Sequence, residues 1–199
     1  MKINFFYIIL LFFITAKSSI SDQSNFHNNF KIKKISDELS FPWGMTLLNK
    51  KEILVTSKLG NIYLIDLNNY KTKKIFSIID TMFFGQGGLL DIIFLKNKSS
   101  NYVFVCYLSK SENDLVVGRF EINKPILFNK KIIFKSNYKK RGSKHFGCRF
   151  TKYNNTILIS LGDRGDRENS QNPLNYPGTI IQLDYDGNKL YQKKKNWLK

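Results

Sequence analysis

The segment Gly44–Asp66 has the sequence GMTLLNKKEILVTSKLGNIYLID, in which three short apolar runs are separated by two turn-forming stretches. The first turn is built around an Asn-Lys pair and the second around a Leu-Gly-Asn triplet. Short runs rich in Ile, Leu, Val and Tyr that are bounded by Asn, Gly and Lys are typical of β-strands. The segment therefore predicts three consecutive antiparallel strands joined by tight turns.

The same order of strands and turns recurs twice along the chain. Leu90–Glu121 repeats it with a longer second turn, and Cys148–Asp184 repeats it with a long loop at Gly162–Pro177. The three units begin roughly 45 to 60 residues apart, and repeats of this length with short strands are typical of a β-propeller. A β-sandwich also has short strands but lacks such internal similarity. The sequence therefore predicts an all-β fold of the β-propeller class.

No segment after the N-terminal apolar run shows a 3.6-residue hydrophobic period with helix caps, so strands are the expected regular structure. The expected strands share runs of Ile, Val, Phe and Tyr between clusters of Gly, Asn, Asp and Lys. They are placed near Ile32–Ser36, Gly44–Leu48, Glu52–Ser57, Asn61–Asp66, Lys74–Ile78, Leu89–Leu95, Tyr102–Leu108, Asp114–Glu121, Lys131–Lys135, Cys148–Tyr153, Thr156–Leu161 and Thr179–Asp184.

The length of the chain limits how many propeller blades it can form. At roughly 45 to 55 residues per blade, the 199 residues provide about three to three and a half blades once an N-terminal export signal is removed. Propellers close with 4–8 blades, and an open set leaves unpaired strand edges. We therefore expect a truncated part of a longer protein, with assembly of several copies as the alternative.

The N-terminus has the pattern of an export signal. A positively charged start precedes the continuous apolar run Phe5–Ile14, and small and polar residues follow it. This pattern describes a secretory signal peptide, whereas a short membrane anchor is disfavoured because a spanning helix needs about 20 apolar residues. We expect a periplasmic or secreted protein with no integral membrane span after signal removal. The predicted organisation is a signal peptide over 1–20, a polar segment over 21–34, a partial β-propeller over 35–190 and a lysine-rich tail over 191–199.

The chain is strongly basic, with a formal net charge of +17 from 32 Lys and Arg against 15 Asp and Glu. Only five of the basic residues are arginines, and the lysines are scattered in pairs and triplets. Proteins that bind nucleic acids more often concentrate arginine on one face. We therefore expect a solvated basic surface and no nucleic-acid partner.

The two cysteines, Cys106 and Cys148, lie in apolar strand-like segments. An oxidising compartment permits a disulfide between them, but buried free thiols are common in such segments and are the favoured expectation. Of the two histidines, His27 and His145, only His145 lies near a cysteine in sequence, three residues before Cys148, and the other positions are far apart. No zinc-ligand spacing is present, so a zinc site is not supported.

Three polar motifs lie where predicted strands begin or end. Gly85–Asp91 leads into a strand through several glycines, Lys144–Arg149 places His145 directly before a strand, and Leu161–Arg167 places Asp163 directly after one. Histidine is the usual general base near neutral pH, and a carboxylate can orient it and stabilise the imidazolium. The plainer alternatives are a glycine turn with positive φ, a structural histidine and a solvated Asp/Arg turn.

Taken in order, Pro42–Met45 and the three polar motifs resemble one family. They are similar to the glucose/sorbosone dehydrogenases, the soluble, exported aldose sugar dehydrogenases that use pyrroloquinoline quinone, and the resemblance covers about residues 35–190. It implies a six-bladed β-propeller that carries the quinone at the top of its central channel, with calcium. It also implies oxidation of the C1 hydroxyl of an aldose by hydride transfer to the quinone.

The resemblance also implies roles for individual residues. His145 matches the general base, Asp163 matches the carboxylate that supports this base, and Gln86 matches a side chain that contacts the substrate hydroxyl and the quinone region. Cys148 stands where relatives usually have glycine. Most quinone-binding cations and the calcium ligands come from later blades in the family, so no metal ligand is assigned. The sugar and the electron acceptor stay open, and a non-catalytic exported β-repeat module that binds a glycan or a protein is the alternative.

Overall fold

A computed structural model describes residues 31–190 of the chain, apart from 98–99, 139–141, 169, 171 and 173. A boundary between two units of the chain falls between Lys34 and Ile35. The described part of the second unit is built from β-strands. They are β1 Pro42–Asn49, β2 Glu52–Ser57, β3 Asn61–Asp66, β4 Thr72–Ser77, β5 Leu89–Lys96, β6 Asn101–Ser109, β7 Asp114–Asn123, β8 Ile126–Lys135, β9 Gly147–Tyr153, β10 Thr156–Leu161 and β11 Ile180–Leu183.

The strands form three antiparallel sheets in which neighbours in sequence are neighbours in space. The first sheet has the order β1-β2-β3-β4, the second β5-β6-β7-β8, and the third β9-β10-β11. Short turns can join neighbouring strands in this way, because polar side chains in the turns form hydrogen bonds with nearby backbone groups. At the turn from β1 to β2, for example, the side-chain oxygen of Asn49 accepts a hydrogen bond from the Lys51 amide at 2.8 Å.

The middle sheet is buried on both faces, and strand β6 shows how its sequence achieves this. Successive side chains of a strand point to opposite faces. Val103, Val105 and Tyr107 pack into the apolar cluster shared with the first sheet. Phe104 and Cys106 alternate with them and pack into the cluster shared with the third sheet. The continuous apolar run of β6 therefore forms part of two cores at once.

The first strands of the three sheets lie side by side, β1 beside β5 and β5 beside β9. The contact between β1 and β5 is close because residue 44 is glycine. A Cβ atom added at Gly44 would lie 2.9 Å from the Leu90 carbonyl oxygen and 2.8 Å from a carboxylate oxygen of Asp91. The buried Thr56 hydroxyl donates to the same Leu90 oxygen at 2.6 Å and accepts from the Gly44 amide at 2.9 Å. One side chain of β2 therefore ties the first sheet to the second.

The expected strand at Ile32–Ser36 is wrong, because these residues form no strand in the structure. The side chain of Ile32 is 87% exposed, so this segment has no apolar face held against a core. Strand β8 is longer than expected and begins at Ile126 rather than Lys131, because Ile126, Leu127 and Phe128 pair with the end of β7 before a register shift. The other predicted strands agree with the structure to within two residues at each end.

Cys106 and Cys148 are both buried free thiols, as favoured from the sequence. The predicted signal peptide at 1–20, most of the polar segment at 21–34 and the lysine-rich tail at 191–199 lie outside the described residues. These assignments stay predictions. Over the part of the chain that is described, no helix is long and apolar enough to cross a membrane.

Truncating Phe104 tests the double-sided burial of the middle sheet. Phe104 is fully buried, whereas Phe128 is 44% exposed. We expect Phe104→Ala to lower the free energy of unfolding by about 3–5 kcal/mol, because a large cavity is left in the core. The matched variant Phe128→Ala should change it by less than about 1 kcal/mol. Urea unfolding followed by fluorescence measures both values, and equal losses would contradict the packing described.

Candidate active site

Three loops meet where the second and third sheets adjoin. The loop 85–88 enters β5, the loop 143–146 enters β9, and the loop 162–167 leaves β10. Strand β9 lies beside β5 and pairs with β10, with Gly147 opposite Leu161. The ends of these three strands therefore bring together loops that are up to about 80 residues apart in sequence.

His145 and Asp163 are hydrogen-bonded to each other. The Nδ1 atom of His145 lies 2.7 Å from a carboxylate oxygen of Asp163, and the same oxygen accepts the Gly165 amide at 2.8 Å. The Gly165 hydrogen bond and then the His145 hydrogen bond hold the pKa of Asp163 below its ordinary value. Asp163 is therefore a carboxylate at neutral pH.

Gln86 contacts the backbone of the same histidine. Its side-chain oxygen accepts the His145 amide at 2.8 Å, while its own backbone amide donates to the Ser143 carbonyl at 2.7 Å. Gly85 makes this approach possible, since a Cβ atom there would lie 2.4 Å from the Ser143 oxygen. The structure thus brings together all three residues predicted from the sequence, His145, Asp163 and Gln86.

The loop 162–167 also holds the backbone of His145. The His145 carbonyl accepts the Arg164 amide at 3.0 Å, and a Cβ atom at Gly162 would lie only 2.1 Å from that carbonyl oxygen. His145 has a φ of 54°, in the left-handed region that a histidine seldom adopts. Hydrogen bonds on both its amide and its carbonyl keep it there, so the imidazole is held by its backbone as well as by Asp163.

The side chain of Arg164, in the loop 162–167, packs on the aromatic ring of Phe146. Its guanidinium carbon lies 3.8 Å from the centre of the Phe146 ring, and the ring is fully buried. One guanidinium nitrogen donates to the Gly142 carbonyl at 3.3 Å. Burial lowers the pKa of Arg164, although a guanidinium keeps its charge in proteins. The Arg164 side chain therefore packs on Phe146, the residue after His145, and links the loop 162–167 to Gly142.

A second group of residues surrounds Trp43 in β1. The ammonium group of Lys58 lies 5.1 Å from the Trp43 ring and 5.1 Å from the Phe83 ring, and it donates to the Gly85 carbonyl at 2.9 Å. The guanidinium of Arg149 lies 5.9 Å from the same Trp43 ring. Burial lowers the pKa of Lys58. No sequence motif singles out Lys58, and its contact with the Gly85–Gln86 loop joins residues 27 positions apart.

Asp91 joins the Trp43 group to strand β9. Its side chain is buried and accepts the Phe150 amide at 2.7 Å and an Arg149 guanidinium nitrogen at 3.2 Å. The carboxylate thus fixes the start of β9, a few residues from His145. In the sequence, Asp91 stands out only as an acidic residue at the end of the glycine-rich motif. It also lies inside an apolar strand, where charged residues are unusual.

The geometry suits general base catalysis at Nε2 of His145. Because a carboxylate only accepts hydrogen bonds, Nδ1 must carry the hydrogen that lies between it and Asp163. The lone pair of the neutral ring is then on Nε2, which makes no hydrogen bond to the described residues. The imidazole is 53% exposed, so a substrate can reach it.

The described residues contain no group of three or more His, Cys, Asp and Glu side chains that could hold a metal ion. The carboxylates near His145 are committed to other partners, Asp163 to the imidazole and Asp91 to β9. We therefore assign no described residue as a calcium ligand.

Residues 39–193 match the model of the glucose/sorbosone dehydrogenase family. The chain belongs to this family. The uncharacterized protein slr1608 of Synechocystis is 28% identical over an alignment that covers 79% of this chain and 43% of that protein. The family assignment agrees with the resemblance carried by the four sequence motifs.

Solved structures of the family share the fold. The PQQ-bound aldose sugar dehydrogenase of Streptomyces coelicolor is 22% identical, with a TM-score of 0.70 over 78% of this chain and 48% of that one. The apo-form soluble aldose sugar dehydrogenase of Escherichia coli is 20% identical, with a TM-score of 0.70 over 79% and 48%. The chain thus spans about half the length of the proteins it matches. Its three described sheets are a partial β-propeller, as predicted.

Substituting Gly162 tests how closely the loops approach each other. We expect Gly162→Ala to destabilise the fold by about 1–3 kcal/mol, because the new methyl group collides with the His145 carbonyl. Gly118→Ala is the matched control, since its Cβ would make ordinary contacts at 3.5 Å or more. Urea unfolding compares the two variants. A tolerated Gly162→Ala would show that the loops are further apart than described.

Removing the imidazole tests the electrostatics of Asp163. Glycine tolerates the positive φ at this position, so His145→Gly removes the ring without adding backbone strain. We expect the pKa of Asp163 to rise in this variant but to stay below its ordinary value, since the Gly165 hydrogen bond is the larger cause. Carbon-13 NMR titration of the Asp163 carboxyl group measures the shift.

The sign of the linked stability effect follows from the lowered pKa. The ionised Asp163 stabilises the fold above its ordinary pKa of about 3.9, and this contribution disappears as the pH falls through the lower, folded-state value. His145→Gly should therefore lose less stability than the wild type as the pH falls through the ordinary pKa of Asp163 and below it. Lys152→Ala, on the exposed part of β9, is the control. An unchanged Asp163 titration in His145→Gly would refute the hydrogen bond.

Proposed function

We propose that the protein is an exported sugar dehydrogenase that oxidises the C1 hydroxyl of an aldose, with pyrroloquinoline quinone as the hydride acceptor. The observation that carries the proposal is the 2.7 Å hydrogen bond between His145 and Asp163 at the meeting point of three loops. Membership of the glucose/sorbosone dehydrogenase family supports the reaction class. The apolar run at Phe5–Ile14 supports export to the periplasm or the exterior.

In the proposed reaction the Nε2 atom of His145 removes the proton of the C1 hydroxyl. This proton transfer leaves an imidazolium, which the ionised Asp163 stabilises through Nδ1. The quinone, when bound, would accept the hydride that leaves C1. A positioned base of this kind contributes about 10²–10⁴-fold to the rate.

Gln86 has a positioning role in this proposal. Its oxygen is committed to the His145 amide, so the side-chain NH₂ group is the part that can donate to a substrate hydroxyl or to the quinone. Gln86 and Asp163 thus hold the histidine from two sides. The base can then be oriented before the sugar binds.

The residues around Trp43 have the chemistry that a planar quinone with carboxylate groups requires. Lys58 and Arg149 provide two cations beside one indole ring, and both lie next to the loops of the site. Cations and aromatic rings suit an acidic, flat ligand. We propose these three residues as the contribution of the described sheets to quinone binding. The family resemblance implies that most of the remaining contacts come from later blades.

Loss of the base tests the proposed reaction. His145→Asn keeps a residue type that tolerates the positive φ and retains a hydrogen-bond donor for Asp163, but it has no basic nitrogen. We expect this variant to lower kcat/KM for aldose oxidation by about 10²–10⁴-fold. The assay measures reduction of a dye by the product of the complete gene with quinone, calcium and a panel of aldoses.

The exposed variant Lys152→Ala is the matched control and should keep full activity. Equal turnover by the wild type and His145→Asn would exclude His145 as the base. Saturable sugar binding without dye reduction in the presence of quinone would instead support the non-catalytic glycan-binding alternative.

A further inference from the structure

Cys106 and Cys148 meet between two sheets. Cys106 belongs to β6 of the second sheet, and Cys148 belongs to β9 of the third. Both are at most 1% exposed and both lie in the same apolar cluster, and the neighbouring Cys148 side chain helps to raise the pKa of the Cys106 thiol. The two strands belong to different sheets, so only side chains join them at this point.

We propose that Cys106 and Cys148 form a disulfide that joins the second and third sheets when the protein encounters a disulfide oxidant of the glutathione disulfide class. The two thiols lose two protons and two electrons and form one S–S bond. The oxidant RSSR takes them up and becomes two RSH molecules, so atoms and electrons balance. The inference does not rest on the proposed dehydrogenase activity.

The packing of the two strands allows the bond. The two thiols share one apolar cluster between adjoining sheets, and a disulfide needs their sulfur atoms to approach to about 2.05 Å. The cluster that surrounds them is apolar and includes Phe104, Phe146 and Ile159. An apolar surrounding also protects a finished disulfide from reducing agents, because it keeps their thiolates out.

Burial determines when the bond can form. Burial raises the pKa of the Cys106 thiol, and the nearby Cys148, Asp91 and Asp114 raise it further. A thiolate is the reacting species in thiol–disulfide exchange, so the folded protein should react slowly. During folding both thiols are accessible, and the bridge should form then. This order would suit the proposed export, in which the chain folds in an oxidising compartment.

The bridge would have a direct structural effect. It closes a loop of about 40 residues that runs from β6 through β7, β8 and the loop entering β9. Such a link restricts the unfolded chain and fastens the third sheet to the second. Cys148 lies three residues after His145, so the anchor stands at the base of the loop that carries this histidine.

Refolding with a redox buffer tests the proposal. The full chain is unfolded in urea with a reductant, transferred into reduced and oxidised glutathione, and then treated with an alkylating reagent in denaturant. We expect a monomer that is about 2 Da lighter than the reduced chain and carries no alkyl group. Peptide mapping should give one cross-linked pair that contains Cys106 and Cys148. The same protein kept in reductant should take up two alkyl groups.

Thermal unfolding adds a second readout. The oxidised wild type should unfold about 5 °C or more above the reduced form. Cys148→Ala and Cys106→Ala should show no such difference between the two buffers. If these variants fail to fold, the peptide map of the wild type decides by itself. Two alkylated cysteines after refolding, a cross-link between two chains, or a lower unfolding temperature for the oxidised form would each overturn the proposal.

Discussion

The two-sided burial of strand β6 is the constraint on which the rest of the structure depends. Its residues alternate between the core shared with the first sheet and the core shared with the third. A shift of one residue in its register would exchange the two sets and place Tyr107 where Cys106 and Phe104 belong. Side chains of very different volume would then face the wrong cores. The alternation therefore fixes all three sheets relative to one another.

The site follows from this packing because its loops are the ends of the strands so placed. Glycine at 85 and at 162 lets backbone segments approach to distances that any side chain would prevent. Once they are close, Gln86 and Arg164 hold the amide and carbonyl of His145 on either side. The strained φ of His145 is thus maintained by contacts from two different loops, which is how backbone strain persists at functional sites.

The sequence predicted those features that depend on local pattern. Apolar runs between turn residues located nearly every strand, and the position of His145 and Asp163 at neighbouring strand ends indicated their pairing. Features that depend on distant partners were missed or wrong. Lys58 contacts a carbonyl 27 residues away, and no local signal distinguishes it from a solvated turn lysine. Ile32–Ser36 has a strand-like composition, but a strand also needs a neighbour to pair with.

The partners of individual charged side chains at the site are more informative about its ligand than the net charge of +17. Asp163 is hydrogen-bonded to His145, and Asp91 accepts hydrogen bonds from Arg149 and from a backbone amide. Lys58 differs, because no carboxylate among the described residues lies within salt-bridge distance and its partners are a carbonyl and two aromatic rings. Desolvation of this ammonium disfavours its charged form and lowers its pKa. In the proposed function, a carboxylate of the bound ligand would offset this desolvation beside Trp43.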